Sequence, residues 1–174
     1  MHKLTIAQPL GVIRIMNLIK KISIILIGCF LFLWGCEELL RRKIGGFAGS
    51  YPFVESWVLD IPEDELIQII RELKLKNPEL KPPFDSVLTG ERHSYWFFTK
   101  FYYPDSKEVV HTWLRPDHDT TKTTLAFYSL TDSDSPNEHR LINRDFWYLA
   151  NKSEIRKFEK TIVEPLRVEI RKKK

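Results

Sequence analysis

The side chains able to do chemistry in this 174-residue chain are scattered rather than grouped. No nucleophile-elbow serine, zinc-binding His-Glu-x-x-His, phosphate-binding loop or dinucleotide glycine pattern occurs. No pair of acids or histidines is fixed by helical spacing into a general acid and base, so no catalytic residue is assigned. His93, Asp117 and His118 would bring nitrogen and oxygen ligands together if one hairpin ran its full length. Solvated turn residues explain the same three, and no metal or cofactor is expected. Asp132, Asp134, Asn137 and Glu138 have the oxygen-rich makeup of a calcium loop, but Pro136 and a missing glycine break the EF-hand spacing. A polar turn accounts for them. The more informative group is aromatic and cationic: Tyr95, His111, Trp113, Arg115 and Tyr128. Rings offer contact area and cations orient a ligand, so these five are the candidate ligand face.

Whether they share a face depends on the strands that carry them. His93–Tyr103, Lys107–Arg115 and Lys122–Leu130 are rich in aromatic and β-branched residues, and Glu138–Asp145 is a weaker fourth strand. Turn residues separate them at Pro104–Ser106, Pro116–Asp119 and Asp132–Asn137, which favours an antiparallel meander. Turns of three and four residues would set Phe97 opposite Trp113, Thr99 opposite His111, His111 opposite Thr124, and Trp113 opposite Lys122. One face then carries Tyr95, Phe97, Phe101, Tyr103, His111, Trp113, Arg115, Lys122 and Tyr128. The other carries Trp96, Phe98, Tyr102, Val110, Leu114, Leu125 and Phe127, nearly all apolar, and suits a helix-covered side. A one-residue slip would exchange partners between faces.

Two helices supply that cover. Pro62 and the acids 63–65 suit a helix N-terminus, and Leu66, Ile69, Ile70 and Leu73 form a stripe that should end by Lys76, before Asn77-Pro78. A second helix is predicted from Asn151, which with Glu154 has capping-box spacing, and its stripe is Ile155, Phe158, Ile162 and Leu166. Pro165 should kink or end it. The predicted fold class is α+β: a four-stranded antiparallel sheet with two helices packed on one face.

Composition bounds the rest. The chain has 43% hydrophobic and 13% aromatic residues, which argues against global disorder. Its formal net charge is +4, from 27 basic and 23 acidic residues. Residues 1–35 hold four of the basic residues and no acid, so the remainder is neutral and no nucleic-acid partner is expected. The two cysteines are Cys29 and Cys36, so an exported domain would have neither a disulfide nor a cysteine nucleophile.

Lys20-Lys21, the apolar run 22–35 and Cys36 have the order of a secretory signal. Met16 begins a more usual leader than Met1, making residues 1–15 an upstream extension. The run's end, Leu33-Trp34-Gly35-Cys36, resembles the lipobox of bacterial lipoprotein precursors, with Trp34 departing from the usual small or polar residue. The resemblance implies cleavage before Cys36 and acylation of that residue. An uncleaved anchor is the competing reading, because Asn17–Gly35 nearly reaches the roughly 20 residues a spanning helix needs. A buried core helix fits the flanking lysines less well. Glu37-Glu38 is loosely similar to the acidic surface-export signals of Bacteroidetes lipoproteins.

Three segments are therefore predicted: 1–35 as extension and signal peptide, 36–52 as lipidated Cys36 and flexible tether, and 53–174 as one α+β domain. The expected function is binding, without enzymatic activity, at the cell envelope. The membrane would be met through the lipid anchor, with an envelope glycan or a protein as partner. An envelope hydrolase with a site at one end of the sheet, or a lipoprotein immunity or inhibitor protein, is the alternative.

Overall fold

A computed structural model describes residues 10–45, 50–83, 90–93 and 95–173. The chain divides into two units, Met1–Leu40 and Arg41–Lys174. The first is carried by helix α1 (Leu10–Ile44), whose Leu18–Ile44 stretch is long and apolar enough to cross a membrane. Such a helix is compatible with a signal peptide or a membrane anchor. The helix passes through Cys36 and residues 37–44, which the sequence reading placed in a tether. It stops at Gly45, where φ is +75° and a side chain would collide with the Pro52 carbonyl. Residues 46–49 of the expected tether lie outside the described residues.

The second unit is α+β with an antiparallel sheet. Its strands are β1 (Glu55–Leu59), β2 (Glu91–His93), β3 (Trp96–Tyr103), β4 (Glu108–Pro116), β5 (Thr123–Asp132) and β6 (His139–Leu141). The order is β1-β5-β4-β3-β2, with β6 pairing the other end of β5. Six strands replace the expected four. One addition is β1, whose Trp57 packs at the core while its neighbours Ser56 and Val58 stay exposed. The other arises because the expected strand 93–103 doubles back: His93 pairs with Trp96, and Tyr95 sits in the turn.

Helix α2 (Glu63–Lys76) follows its stripe, burying Leu66, Ile69, Ile70 and Leu73. Lys74 lies on the same stripe and is also buried, donating from Nζ to Thr99 Oγ1 at 2.8 Å. Helix α3 (Tyr148–Phe158) starts three residues before the expected cap. Asn151 is not a cap. It is buried in the first turn, accepting the Asn143 N–H at 2.8 Å and donating to Asn143 Oδ1 at 2.7 Å. These two hydrogen bonds hold Asn143 at φ +61°.

Pro165 does not end the helix. A π-helical turn, Glu159–Val163, precedes it, and the chain continues as α4 (Glu164–Lys173). The Glu164 N–H reaches back to the Glu159 carbonyl, a five-residue step that widens the turn just before the proline ring.

Leu66, Ile70, Phe158, Ile162 and Leu166 meet Phe97, Phe101, Leu114, Leu125 and Phe127 in one core. Phe158 stacks on Phe127 at 4.9 Å between centroids and touches Trp57 at 5.1 Å. Helices α2, α3 and α4, three where two were expected because the π-helical turn divides the second, therefore cover one sheet face, leaving the other for the aromatic and polar residues.

Candidate ligand-binding face

The open face is set by two turns and a bulge. The loop between β3 and β4 is four residues, Pro104–Lys107, and closes with Lys107 at φ +52°. That is one residue longer than expected, so Phe97 faces Leu114, Phe98 faces Trp113 and Thr99 faces Thr112. The slip turns β3 over relative to β4. Phe97, Phe101 and Tyr103, expected beside the ligand, belong to the helix-covered core. Trp96 and Phe98, expected in that core, lie beside Trp113 instead.

The β4–β5 loop is also longer, with Pro116 opposite Thr123, but here the difference is even and β4 keeps its faces. Trp113 pairs with Ala126 rather than Lys122, and His111 with Ser129 rather than Thr124. Between His111 and Thr112 the register shifts, leaving Tyr128 as the extra residue of a β-bulge.

Trp113 is fully buried in a second, smaller core with Val54 and Ala126, packed by Tyr51, Trp96, Phe98 and Tyr128. It is structure, not a surface contact. Its ring meets Trp96 edge-on at 4.5 Å. Tyr51 closes the group, with centroids 5.5 Å from Trp96, 6.2 Å from Phe98, 6.0 Å from Trp113 and 5.5 Å from Tyr128. Sequence reasoning missed Tyr51, having placed residues 36–52 in the tether. The available signal was an apolar trio, Tyr51, Phe53 and Val54, next to Pro52.

Of the five predicted residues, Tyr95, Arg115 and Tyr128 keep access to solvent. Tyr95 is half exposed and its hydroxyl donates to the Pro116 carbonyl at 3.1 Å. The Arg115 guanidinium lies 5.4 Å from the Trp96 ring centroid and 5.7 Å from that of Trp113, within cation–π range. Burial, and next the Tyr51 hydroxyl, push the Tyr128 hydroxyl up to about 12, so it stays protonated.

His111 is buried beyond this aromatic group. Its Nε2 is hydrogen-bonded to Thr131 Oγ1 at 2.8 Å, and Thr131 Oγ1 in turn lies 3.2 Å from His139 Nδ1. Ser129 Oγ lies 3.4 Å from the same nitrogen, and the two imidazole rings are 4.8 Å apart. Burial foremost, then His139 and Lys100, lowers His111 to about 3. A group that weakly basic holds a neutral hydrogen bond but is a poor general base near neutrality.

Two cavities flank His111. One of about 300 Å³ is lined by Lys100, Val109, Thr131, Asp132, Pro136, His139 and His111 itself. The other, about 100 Å³, is lined by Gly90, Glu91, Phe98, Thr99, Lys100, Thr112, Tyr128 and His111. Gly90 has φ +120°, and a side chain there would collide with the Phe98 carbonyl.

The weaker metal candidates lie in turns or at strand ends. The Asp117 carboxylate accepts the His118 N–H, and Asp119 accepts both the N–H and hydroxyl of Thr121. Asp132 caps the Asp134 N–H in the same manner. His93 lies 3.5 Å from the Glu91 carboxylate and edge-on to Phe98. Comparison with protein-family models, curated proteins and solved structures finds no match.

Proposed function

We propose that this is an exported, lipid-anchored protein of the cell envelope that acts by binding, without catalysis, through the sheet face opposite its helices. The observation that carries this reading is the pair of adjoining clefts that share Lys100 and His111, beside the partly exposed rings of Phe98 and Tyr128. Rings, a cation and hydroxyl groups on a strand scaffold suit a polar ligand with flat apolar faces, such as an envelope glycan.

Two experiments test the reading. Lys100→Ala should lower retention on isolated envelope polysaccharide about tenfold, roughly 1.4 kcal/mol, with the melting temperature unchanged. Unaltered retention of the variant, or no retention of the parent, removes the glycan ligand. For the anchor, Cys36→Ser should abolish acyl labelling and leave unprocessed precursor. A parent protein of precursor size, held in the membrane without label, would point to an uncleaved helix.

A further inference from the structure

Outside α1, the most exposed large apolar side chains of the described residues are Leu149, 77% exposed, and Trp147, 71% exposed. They stand two positions apart at the start of α3, where nothing in the sheet or the aromatic face requires them. Exposed Trp beside Leu is costly in water unless a surface covers it.

The surrounding charge is positive. Arg41, Arg42 and Lys43 form the last turn of α1. Arg41 donates to the Phe146 carbonyl at 2.9 Å, and Arg42 to the Arg144 carbonyl at 2.7 Å. The Arg42 guanidinium also lies 4.9 Å from the Trp147 ring centroid. Lys152 projects near Tyr148, 5.8 Å from its ring centroid. Three acids lie nearby and each has a partner: Asp145 pairs with Arg144 at 2.8 Å, Glu159, which with Glu55 lines the cleft beside Leu149 and Lys152, lies 3.8 Å from Arg167, and Glu55 accepts from Asn143 at 3.3 Å.

Covalent connectivity then limits where this patch can be. Arg41 follows Cys36 by five residues, which even fully extended span only about 18 Å. A membrane attachment at or before Cys36 therefore keeps Arg41, and the loop bonded to it, close to the lipid surface.

We infer that Trp147 and Leu149 dock the domain onto an anionic bilayer surface, with Arg42, Lys43 and Lys152 meeting the headgroups while Arg41 ties the end of α1 to the Phe146 carbonyl. Trp suits the interface because its ring is apolar while its N–H stays hydrated, and juxtamembrane cations are drawn to anionic lipid. The inference rests on the membrane-anchored reading. Docking would fix the orientation of the sheet relative to the membrane instead of leaving it to swing.

The test uses the membrane-purified full chain in phosphatidylcholine–phosphatidylglycerol vesicles with brominated acyl chains. The emission difference between parent and Trp147→Phe isolates Trp147 from the other four tryptophans. Brominated lipid should remove most of that component, and Leu149→Ser should restore part of it. Vesicles of phosphatidylcholine alone should quench it less, and equal quenching in both would overturn the role of the cations. A chain that stays with the vesicles while its Trp147 emission is unquenched overturns the docking and leaves the anchor standing. A chain that washes off both vesicle types overturns the anchor and the docking together.

Discussion

The ring of Tyr51 stands edge-on to that of Trp96, with centroids 5.5 Å apart and planes at 67°. The contact joins the segment leading into the domain to the strand face that carries the candidate site. With Phe98, Trp113 and Tyr128 also against it, Tyr51 is the keystone of the smaller core.

Tyr51→Ala should therefore destabilise the domain by about 1–3 kcal/mol, below a fully buried aromatic because Tyr51 keeps some exposure. Tyr51→Phe retains the ring and should cost less than about 1 kcal/mol. Urea unfolding of the two variants measures this. Equal stability of the alanine variant and the parent would mean that the segment is not packed.

Trp113 and Tyr95 should separate cleanly although both were candidates for one surface. Trp113→Ala empties a fully buried site and should cost about 3–5 kcal/mol. Tyr95→Ala removes a half-exposed ring and one hydrogen bond, and should cost no more than about 1 kcal/mol. Denaturant midpoints with unchanged slope would establish the contrast, and a large loss for Tyr95 would contradict its surface position.

The helix-covered core predicts losses of about 2–5 kcal/mol for Leu73→Ala and Phe158→Ala, each deleting a buried side chain that touches the sheet layer. Leu75→Ala, on the exposed side of the same helix, should stay within about 0.5 kcal/mol. Thermal melts of the three compare the faces directly.

His111 sets an acid limit. Its folded value of about 3 lies below the ordinary histidine value near 6.5, so between these the unfolded chain binds the extra proton. Its contribution to stability is complete above the unfolded value and falls as the pH drops from about 6.5 toward 3. His111→Gln, which retains a partner for Thr131, should flatten that dependence in urea midpoints taken across the window. An unchanged slope would show that acid sensitivity arises from other groups.

The stripes Leu66–Leu73 and Ile155–Leu166 were legible because helical periodicity is local, and every position named on them is buried. Lys74 was not, since its residue type argues for solvent while its position, eight after Leu66, places it on the buried stripe. The candidate face was legible in composition but not in membership. Tyr95, Arg115 and Tyr128 stayed accessible, Trp113 and His111 went inside, and Trp96 and Phe98 crossed over. A single extra turn residue, Lys107 at positive φ, was enough to turn β3 over, because neighbouring side chains on a strand point to opposite faces.

By itself the sequence determined the apolar N-terminal helix with its positive flank, the α+β class and the buried faces of the domain helices, because each follows from residues a few positions apart. Only the tertiary structure decided that Tyr51 closes the aromatic face, that His111 lies against Thr131, and that Arg42 meets Trp147. Those contacts join residues 45, 20 and 105 positions apart in the first instance of each pair, Tyr51 with Trp96, His111 with Thr131, and Arg42 with Trp147. Pairings at such separations depend on loop lengths and strand register, which no local pattern of hydrophobicity encodes.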